Sequence, residues 1–262
     1  MRTVVVVQAR SGSTRLPGKV LLDLGGQTIL ERMLERLAWA RVPDAVVVAT
    51  TTDPADDAIA RVADHAGFAC HRGHPTDVLD RHYRVAVALG ADVVVKIPSD
   101  CPLVDPRVVD RVVSTHLASR DRWDYTSNLH PESYPDGHDV EVMNLDALAT
   151  AFRQARAPHE REHTTPFFWE TPGRFRVQNV TWETGRDLSR THRVVVDYGE
   201  DVEVVRMVWR ALARPGEPPF SVDDLVAFLD AHPEVRLANA SRFGVSWQSR
   251  RAADAASAKE TR

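Results

Sequence analysis

Short apolar runs alternate along this chain with longer segments in which apolar residues recur at helical spacing. Thr3 to Val7 is followed by Ile29 to Leu37, Ala45 to Ala49 by Ala55 to His65, Phe68 to His71 by Val78 to Leu89, and Val93 to Ile97 by Pro106 to Leu117. In the first helical segment Ile29, Leu30, Met33, Leu34 and Leu37 fall on one stripe, and Glu31, Arg32, Glu35 and Arg36 on the other, which is the pattern of a helix with one buried face. Buried strands separated by such helices predict an α/β fold with a mostly parallel sheet covered by helices on both faces.

The pattern changes after about Arg120. Trp123 to Asn128, His138 to Met143 and Phe175 to Trp182 read as strands separated by polar loops bearing Pro and Gly, and they predict a lobe, about 121–192, inserted over the sheet. Arg193 to Val196 then reads as a return to a buried strand and Val202 to Leu212 as an amphipathic helix, broken by Pro215-Gly216-Glu217-Pro218-Pro219. A last helix over Val222 to Leu229 has Ser221 as its N-cap and Asp223 and Asp224 in its first turn, the placement that satisfies and complements a helix start. Residues 1–245 are thus expected to form one domain. The polar, alanine-rich residues 246–262 are expected to be disordered.

A chain of 262 residues is long enough for a full core. Its net charge of -4, despite 33 Lys and Arg, supplies no global basic field, so wholesale nucleic-acid binding is not expected and any anion site must be local. The two cysteines, Cys70 and Cys101, are too few for a zinc cluster or a disulfide framework and read as small core hydrophobes. Met1-Arg2 runs directly into an apolar strand and no later run approaches membrane-spanning length, so a cytoplasmic protein with no membrane partner is expected.

The candidate chemistry begins at Gln8-Ala9-Arg10-Ser11-Gly12-Ser13-Thr14-Arg15-Leu16-Pro17-Gly18-Lys19. A loop of small residues at the end of a buried strand lets main-chain N–H groups approach phosphate oxygens, and Arg10, Arg15 and Lys19 neutralise their charge. Pro98-Ser99-Asp100-Cys101-Pro102-Leu103 follows another apolar run, at the strand edge where open α/β sheets gather ligands. Asp100 there reads either as a magnesium ligand or as a turn former before Pro102. Arg193-Val194-Val195-Val196-Asp197-Tyr198-Gly199-Glu200-Asp201 ends a third buried run in a carboxylate, and Asp197 reads as a second ligand or as a helix cap. Two carboxylates facing a cationic loop form a site for a metal-bound nucleotide.

These segments resemble the sugar-acid cytidylyltransferases, the family that includes the synthetases of CMP-sialic acid and CMP-Kdo, and above all its SpsF-like spore-coat polysaccharide branch. The resemblance runs from about Val4 to Ala231 and is carried by the Gln8 to Lys19 loop, Asp77-Val78-Leu79, Ser99 to Pro106, Tyr134 to Val142, Arg161 to Pro166 and Val196 to Asp201. It implies a Rossmann-like nucleotide-binding fold, pairing as a homodimer through the inserted lobe. It further implies transfer of CMP from CTP to a hydroxyl of a sugar or sugar acid, with Mg²⁺ as cofactor and release of pyrophosphate, in surface polysaccharide or glycoconjugate synthesis.

By the same resemblance Ala9, Arg10, Ser11, Gly12, Ser13, Thr14, Arg15 and Lys19 form the nucleotide loop, Arg72 and Ser99 stand near the nucleotide, and Asp100 and Asp197 hold the metal. Lys19, Arg10, Asp100 and Asp197 are the implied catalytic groups. The acceptor side comprises Asp136, His138, Asp139, Glu141, Glu162 and His163, with His138 where an apolar residue is more usual. His138 also reads as a surface hydrogen-bonding residue, and Glu160 to Glu162 as the solvated start of a helix carrying Phe167, Phe168 and Trp169 inward. A cytidylyltransferase for a non-sugar acceptor such as a phosphonate, a glycosyltransferase using a nucleotide sugar, and a non-catalytic nucleotide-binding subunit are the competing readings.

Overall fold

Strand β1 (Thr3–Gln8) sits at the centre of the molecule because it is apolar on both faces. Val5 and Val7 point into one core, Val4 and Val6 into the other, as the period of two in a strand requires. The computed structural model describes residues 1–214 and 216–245; the 246–262 tail and Pro215 lie outside the described residues. β2 (Ala45–Thr51), β3 (Ala69–Gly73) and β4 (Val93–Pro98) join β1 in parallel register, and β5 (Tyr125–Ser127), β6 (Glu141–Asn144) and β7 (Val177–Asn179) complete a seven-stranded sheet of order β3-β2-β1-β4-β6-β5-β7.

The helices are α1 (Ile29–Leu37), α2 (Asp57–His65), α3 (Val78–Ala88), α4 (Pro106–Leu117), α5 (Leu145–Gln154), α6 (Pro158–His163), α7 (Pro166–Trp169), α8 (Gly199–Leu212), α9 (Val222–Ala231) and α10 (Pro233–Arg236). The apolar stripes of α1, α4, α8 and α9 pack with Val5, Val7 and Val95, whereas Leu79 and Val85 of α3, Leu148 and Ala151 of α5 and Phe167 and Phe168 of α7 pack with Val4, Val6 and Val94. Helices therefore cover both faces of a mostly parallel sheet, as expected. Cys101 is buried and Cys70 is half-buried. Among the described residues no helix is long and apolar enough to cross a membrane.

Two expectations are corrected. The strands of the 121–192 region do not lie over the sheet; they extend it, with β6 antiparallel to both β4 and β5, and β7 parallel to β5. The reason is that Val93, Val94 and Val95 of β4 are fully buried, so the outer edge of that strand needs partners for its N–H and C=O groups, and residues 141–144 supply them with Val95 opposite Val142. Nor is Arg193 to Val196 a strand of the sheet. It is a buried extended segment, bridged to Asp136 at Arg193 and donating from Val196 N–H to the Asp100 carbonyl at 2.8 Å.

Gly137 makes that docking possible. Its φ is 116°, and a Cβ there would stand 2.8 Å from the nitrogen of Val195 and 2.9 Å from the carbonyl carbon of Val194, so only glycine lets the 136–139 turn pack against the extended segment.

Candidate active site

The chain leaves β1 outward to β2 and β3 and returns to β4 on the other side of β1, which opens a crevice at the carboxyl ends of these two strands. A cleft of about 990 Å³ lies there, floored by Gln8, Ala9, Pro98 and Ser99 and walled by the 128–141 and 159–169 segments.

The loop after β1 is held by a buried anchor. Asp56 accepts the Ser11 N–H at 2.7 Å and the Ser11 hydroxyl at 2.6 Å, and its other oxygen accepts from Thr51. Burial works against ionisation of Asp56, but the Ser11 and Thr51 hydrogen bonds hold its carboxyl below the usual range. The Gly18 N–H closes the loop onto the Ser11 carbonyl at 2.9 Å. With a φ of 69°, Gly18 starts the short 3-10 turn Lys19–Leu21 and sends Lys19 inward.

The ammonium of Lys19 stands between the two carboxylates that the sequence singled out. It donates to Asp100 Oδ2 at 2.8 Å, to Asp197 Oδ1 at 2.9 Å and to the Val196 carbonyl at 2.7 Å. Burial alone would lower its pKa; Asp100 and Asp197 outweigh that and raise it, so Lys19 stays charged. Burial likewise opposes ionisation of Asp100, while the charge and hydrogen bond of Lys19 and the charge of Arg15 keep its carboxyl below the usual range. Arg15 also donates to Asp197 Oδ1, and Arg10 reaches Glu162 of α6 at 3.0 Å.

Asp197 is itself braced from behind. Asp201, in the first turn of α8, accepts the N–H groups of Asp197 and Tyr198 at 3.0 Å each, and Arg193 reaches Asp197 Oδ2 at 3.4 Å. The same guanidinium donates to Asp136 Oδ2 at 2.7 Å, tying one end of the cleft to the other.

Asp136, His138, Asp139, Glu141, Glu162 and His163 line the same cleft. Burial pushes Asp136 up to about 7 against the pull of Arg193, and burial together with the charges of Asp136, Asp100, Glu132 and Glu141 raises Asp139 well above the carboxylate range. Glu141 behaves oppositely. It faces Lys96 directly across β4 and β6, pairs with it, and accepts from the Tyr125 hydroxyl at 2.6 Å; burial opposes its ionisation, but Lys96 keeps its carboxyl low. Burial lowers His138 and His163 to about 4, leaving both rings neutral. His138 is only 1% exposed, which corrects its reading as a surface residue. The Asp77 and Arg161 motifs meet at this wall, with Arg161 Nε donating to Asp77 Oδ2 at 2.8 Å.

The family model for cytidylyltransferases matches residues 4–212. The chain belongs to the cytidylyltransferase family. It is 33% identical over 242 residues to an uncharacterised protein of Methanocaldococcus jannaschii, covering 92% of this chain and 96% of that one. It is 31% identical over 235 residues to the spore coat polysaccharide biosynthesis protein SpsF of Bacillus subtilis, covering 87% and 94%. A solved cytidylyltransferase from Leptospira borgpetersenii superposes with a TM-score of 0.85 at 32% identity, covering 90% of this chain and 96% of that one.

In this cytidylyltransferase Ala9, Arg10, Ser13, Thr14, Arg15, Lys19, Ser99, Asp100 and Asp197 line one cleft together with Asp136, His138, Asp139, Glu141, Glu162 and His163. Ser11, Gly12 and Arg72 do not line it. Ser11 is turned onto Asp56. The guanidinium of Arg72 donates to the Thr51 carbonyl at 2.8 Å and the Asp53 carbonyl at 2.9 Å and pairs with Asp57 at 2.7 Å, where it braces the exit of β2. Asp56, Lys96 and Arg193 were missed as site residues. The signal available for Lys96 was a lone cation inside the apolar run of β4, and for Arg193 a cation opening a buried one.

The donor set fits a magnesium ion. Oxygens of Asp100 and Asp197 converge on one point, since both accept from one nitrogen, and one or two carboxylates with water and substrate phosphates are what magnesium takes in nucleotide sites. Among the described residues no group of three or more His, Cys, Asp or Glu gathers to hold a metal, so an ion on this pair would draw its other ligands from water and phosphate.

Proposed function

We propose that this cytidylyltransferase transfers CMP from CTP to a hydroxyl of a sugar or sugar acid, releasing pyrophosphate in a Mg²⁺-dependent reaction that serves surface polysaccharide or glycoconjugate synthesis. The observation that carries the reading is the meeting of Lys19 with both Asp100 and Asp197 at the carboxyl ends of β1 and β4, with Arg15 on the same carboxylate. A triphosphate repels an incoming oxygen nucleophile, so catalysis rests on positioning and on charge neutralisation. Arg10, Arg15 and Lys19 supply positive charge for the leaving pyrophosphate. Asp100 and Asp197 would hold the magnesium ion, which when bound supplies Lewis-acid charge at the phosphate.

The lining formed by Glu141, His138 and His163 suits a polyol. Ionised Glu141 accepts hydrogen bonds from hydroxyl groups, and neutral His138 and His163 both donate and accept. Arg190 also lines the cleft and offers a partner for the carboxylate of a sugar acid. The polysaccharide assignment is supported by the likeness to SpsF, a protein named for spore coat polysaccharide synthesis. Family membership favours nucleotidyl over glycosyl transfer. A homodimer belongs to the same proposal and is checked by sedimentation.

The test is incubation with each NTP, Mg²⁺ and a panel of sugars, sugar acids and a phosphonate, following pyrophosphate. Only CTP with a sugar or sugar acid should release it. Asp100→Ala and Asp197→Ala should each lower kcat at least about a hundredfold; wild-type rates in both would refute the metal assignment. Lys19→Ala should weaken CTP binding more than CMP binding.

A further inference from the structure

We infer that Lys19 is the built-in counterion of the Asp100–Asp197 pair, so that the protein alone takes up a divalent cation poorly and acquires one together with a triphosphate that draws the lysine away. The inference rests on the reading of this pair as the metal-nucleotide site.

An ammonium has three N–H donors and no more. Lys19 spends them on Asp100 at 2.8 Å, Asp197 at 2.9 Å and the Val196 carbonyl at 2.7 Å, so in this position it has none left for phosphate. The lysine and Asp197 side chains are each 9% exposed and Asp100 is 22% exposed, which leaves little water to screen a second positive charge placed beside the first. A divalent ion bonding the same two oxygens at about 2.0–2.1 Å cannot share them with the ammonium. Lysine and metal therefore compete for one seat.

The backbone of Lys19 is fixed by the 3-10 turn after Gly18, but four methylenes carry its head group, and such a chain can swing while its root stays still. A polyphosphate in the cleft offers the ammonium oxygens of higher charge than the two carboxylates. When the head group moves to phosphate, the carboxylate pair is left free for the ion that arrived on the same polyphosphate, and each party to the exchange remains neutralised. Arg193 stays on Asp197 Oδ2 throughout and holds that carboxylate in place, while Arg15, which shares Oδ1 with the lysine, turns to the polyphosphate with it.

The experiment is a titration of the full chain with Mn²⁺, followed by electron paramagnetic resonance, with and without inorganic tripolyphosphate, after subtraction of the ion bound by tripolyphosphate alone. Wild type should bind Mn²⁺ weakly by itself and clearly more tightly with tripolyphosphate. Without it, Lys19→Met should bind Mn²⁺ about ten- to a hundredfold more tightly than wild type, the range in which neighbouring groups tune metal affinity, and adding Asp100→Asn should abolish the gain. Lys19→Gln serves if the methionine variant does not fold. Wild type that binds Mn²⁺ equally well with and without tripolyphosphate would overturn the inference, as would a Lys19 variant with wild-type affinity. Because no base, acceptor or turnover enters the titration, a failure of the CTP or sugar assignment would leave its outcome unchanged.

Discussion

Arg193 grips Asp201 with two nitrogens, Nε to Oδ1 at 2.9 Å and Nη2 to Oδ2 at 3.0 Å. Both residues are buried, at 2% and 0% exposure, and burial, which would lower the pKa of Arg193, is outweighed by its hydrogen bonds to Asp201 and the charge of Asp136. Asp201 in turn orients the main chain of Asp197. Removing the guanidinium leaves buried carboxylates uncompensated, so Arg193→Ala should cost about 3–5 kcal/mol in urea unfolding. Arg193→Lys keeps the charge and loses the two-pronged geometry; it should fold, with kcat reduced more than KM is raised. Unchanged unfolding midpoints in the alanine variant would show that the pair does not brace the site.

Asp56 holds the loop after β1 without lining the cleft. Asp56→Ala strands the Ser11 N–H and two hydroxyls, and should lower stability by about 1–3 kcal/mol. Because the loop then wanders, KM for CTP should rise more than kcat falls, as steady-state kinetics would report. Equal KM values in variant and wild type would contradict this positioning role.

Much of this architecture was legible along the chain. Helix α1 runs over Ile29–Leu37 as the spacing predicts, because its stripe is uninterrupted and Thr28 and Glu31 close a capping box. Strands β1 to β4 were legible as apolar runs, and Arg15, Lys19, Asp100 and Asp197 stood out because each follows a buried run. What could not be read is non-local. Strands β5 and β7 have three residues each, too short for their pattern to say which edge they join; β6 takes the open edge of β4, and β5 and β7 follow beyond it. Asp56 acquires meaning only from Ser11, 45 positions away, and Lys96 only from Glu141, also 45 away. The contacts of Arg72 are hidden for the same reason: the carbonyls of Thr51 and Asp53 that it reaches are revealed by no motif.

Lys96 and Glu141 form a buried pair in the lining of the cleft. Lys96→Met alone leaves a buried carboxylate without its cation and should cost about 3–5 kcal/mol, whereas Lys96→Met combined with Glu141→Leu should recover much of that loss. A double-mutant cycle from urea unfolding measures the coupling. Additive effects of the two substitutions would mean that the pair is not coupled in solution.

Histidine burial sets the response to acid. His82 is fully buried with Nδ1 2.8 Å from the Val78 carbonyl, and burial lowers its pKa from 6.5 to about 3; burial lowers His138 to about 4. Between the unfolded value of 6.5 and these folded values the unfolded chain binds protons that the folded one refuses, so stability is retained above 6.5 and lost as pH falls toward 4. Asp136 works the other way. Its folded pKa of about 7 against 3.8 means that the folded state holds the extra proton and loses stability as pH rises, but its side chain is 27% exposed and solvent weakens the effect. Asp139, raised well above the carboxylate range, acts in the same sense as Asp136, but the lowered rings of His82, His138 and His163 outnumber these two carboxyls, and the net slope should be acid-labile, with each histidine contributing up to about 1.4 kcal/mol per pH unit. Urea midpoints for wild type and His82→Leu at about pH 7 and about pH 5 test the sign. The wild-type midpoint should fall on acidification and the variant should fall less; a wild-type midpoint that rises would mean that Asp136, not the histidines, governs the response.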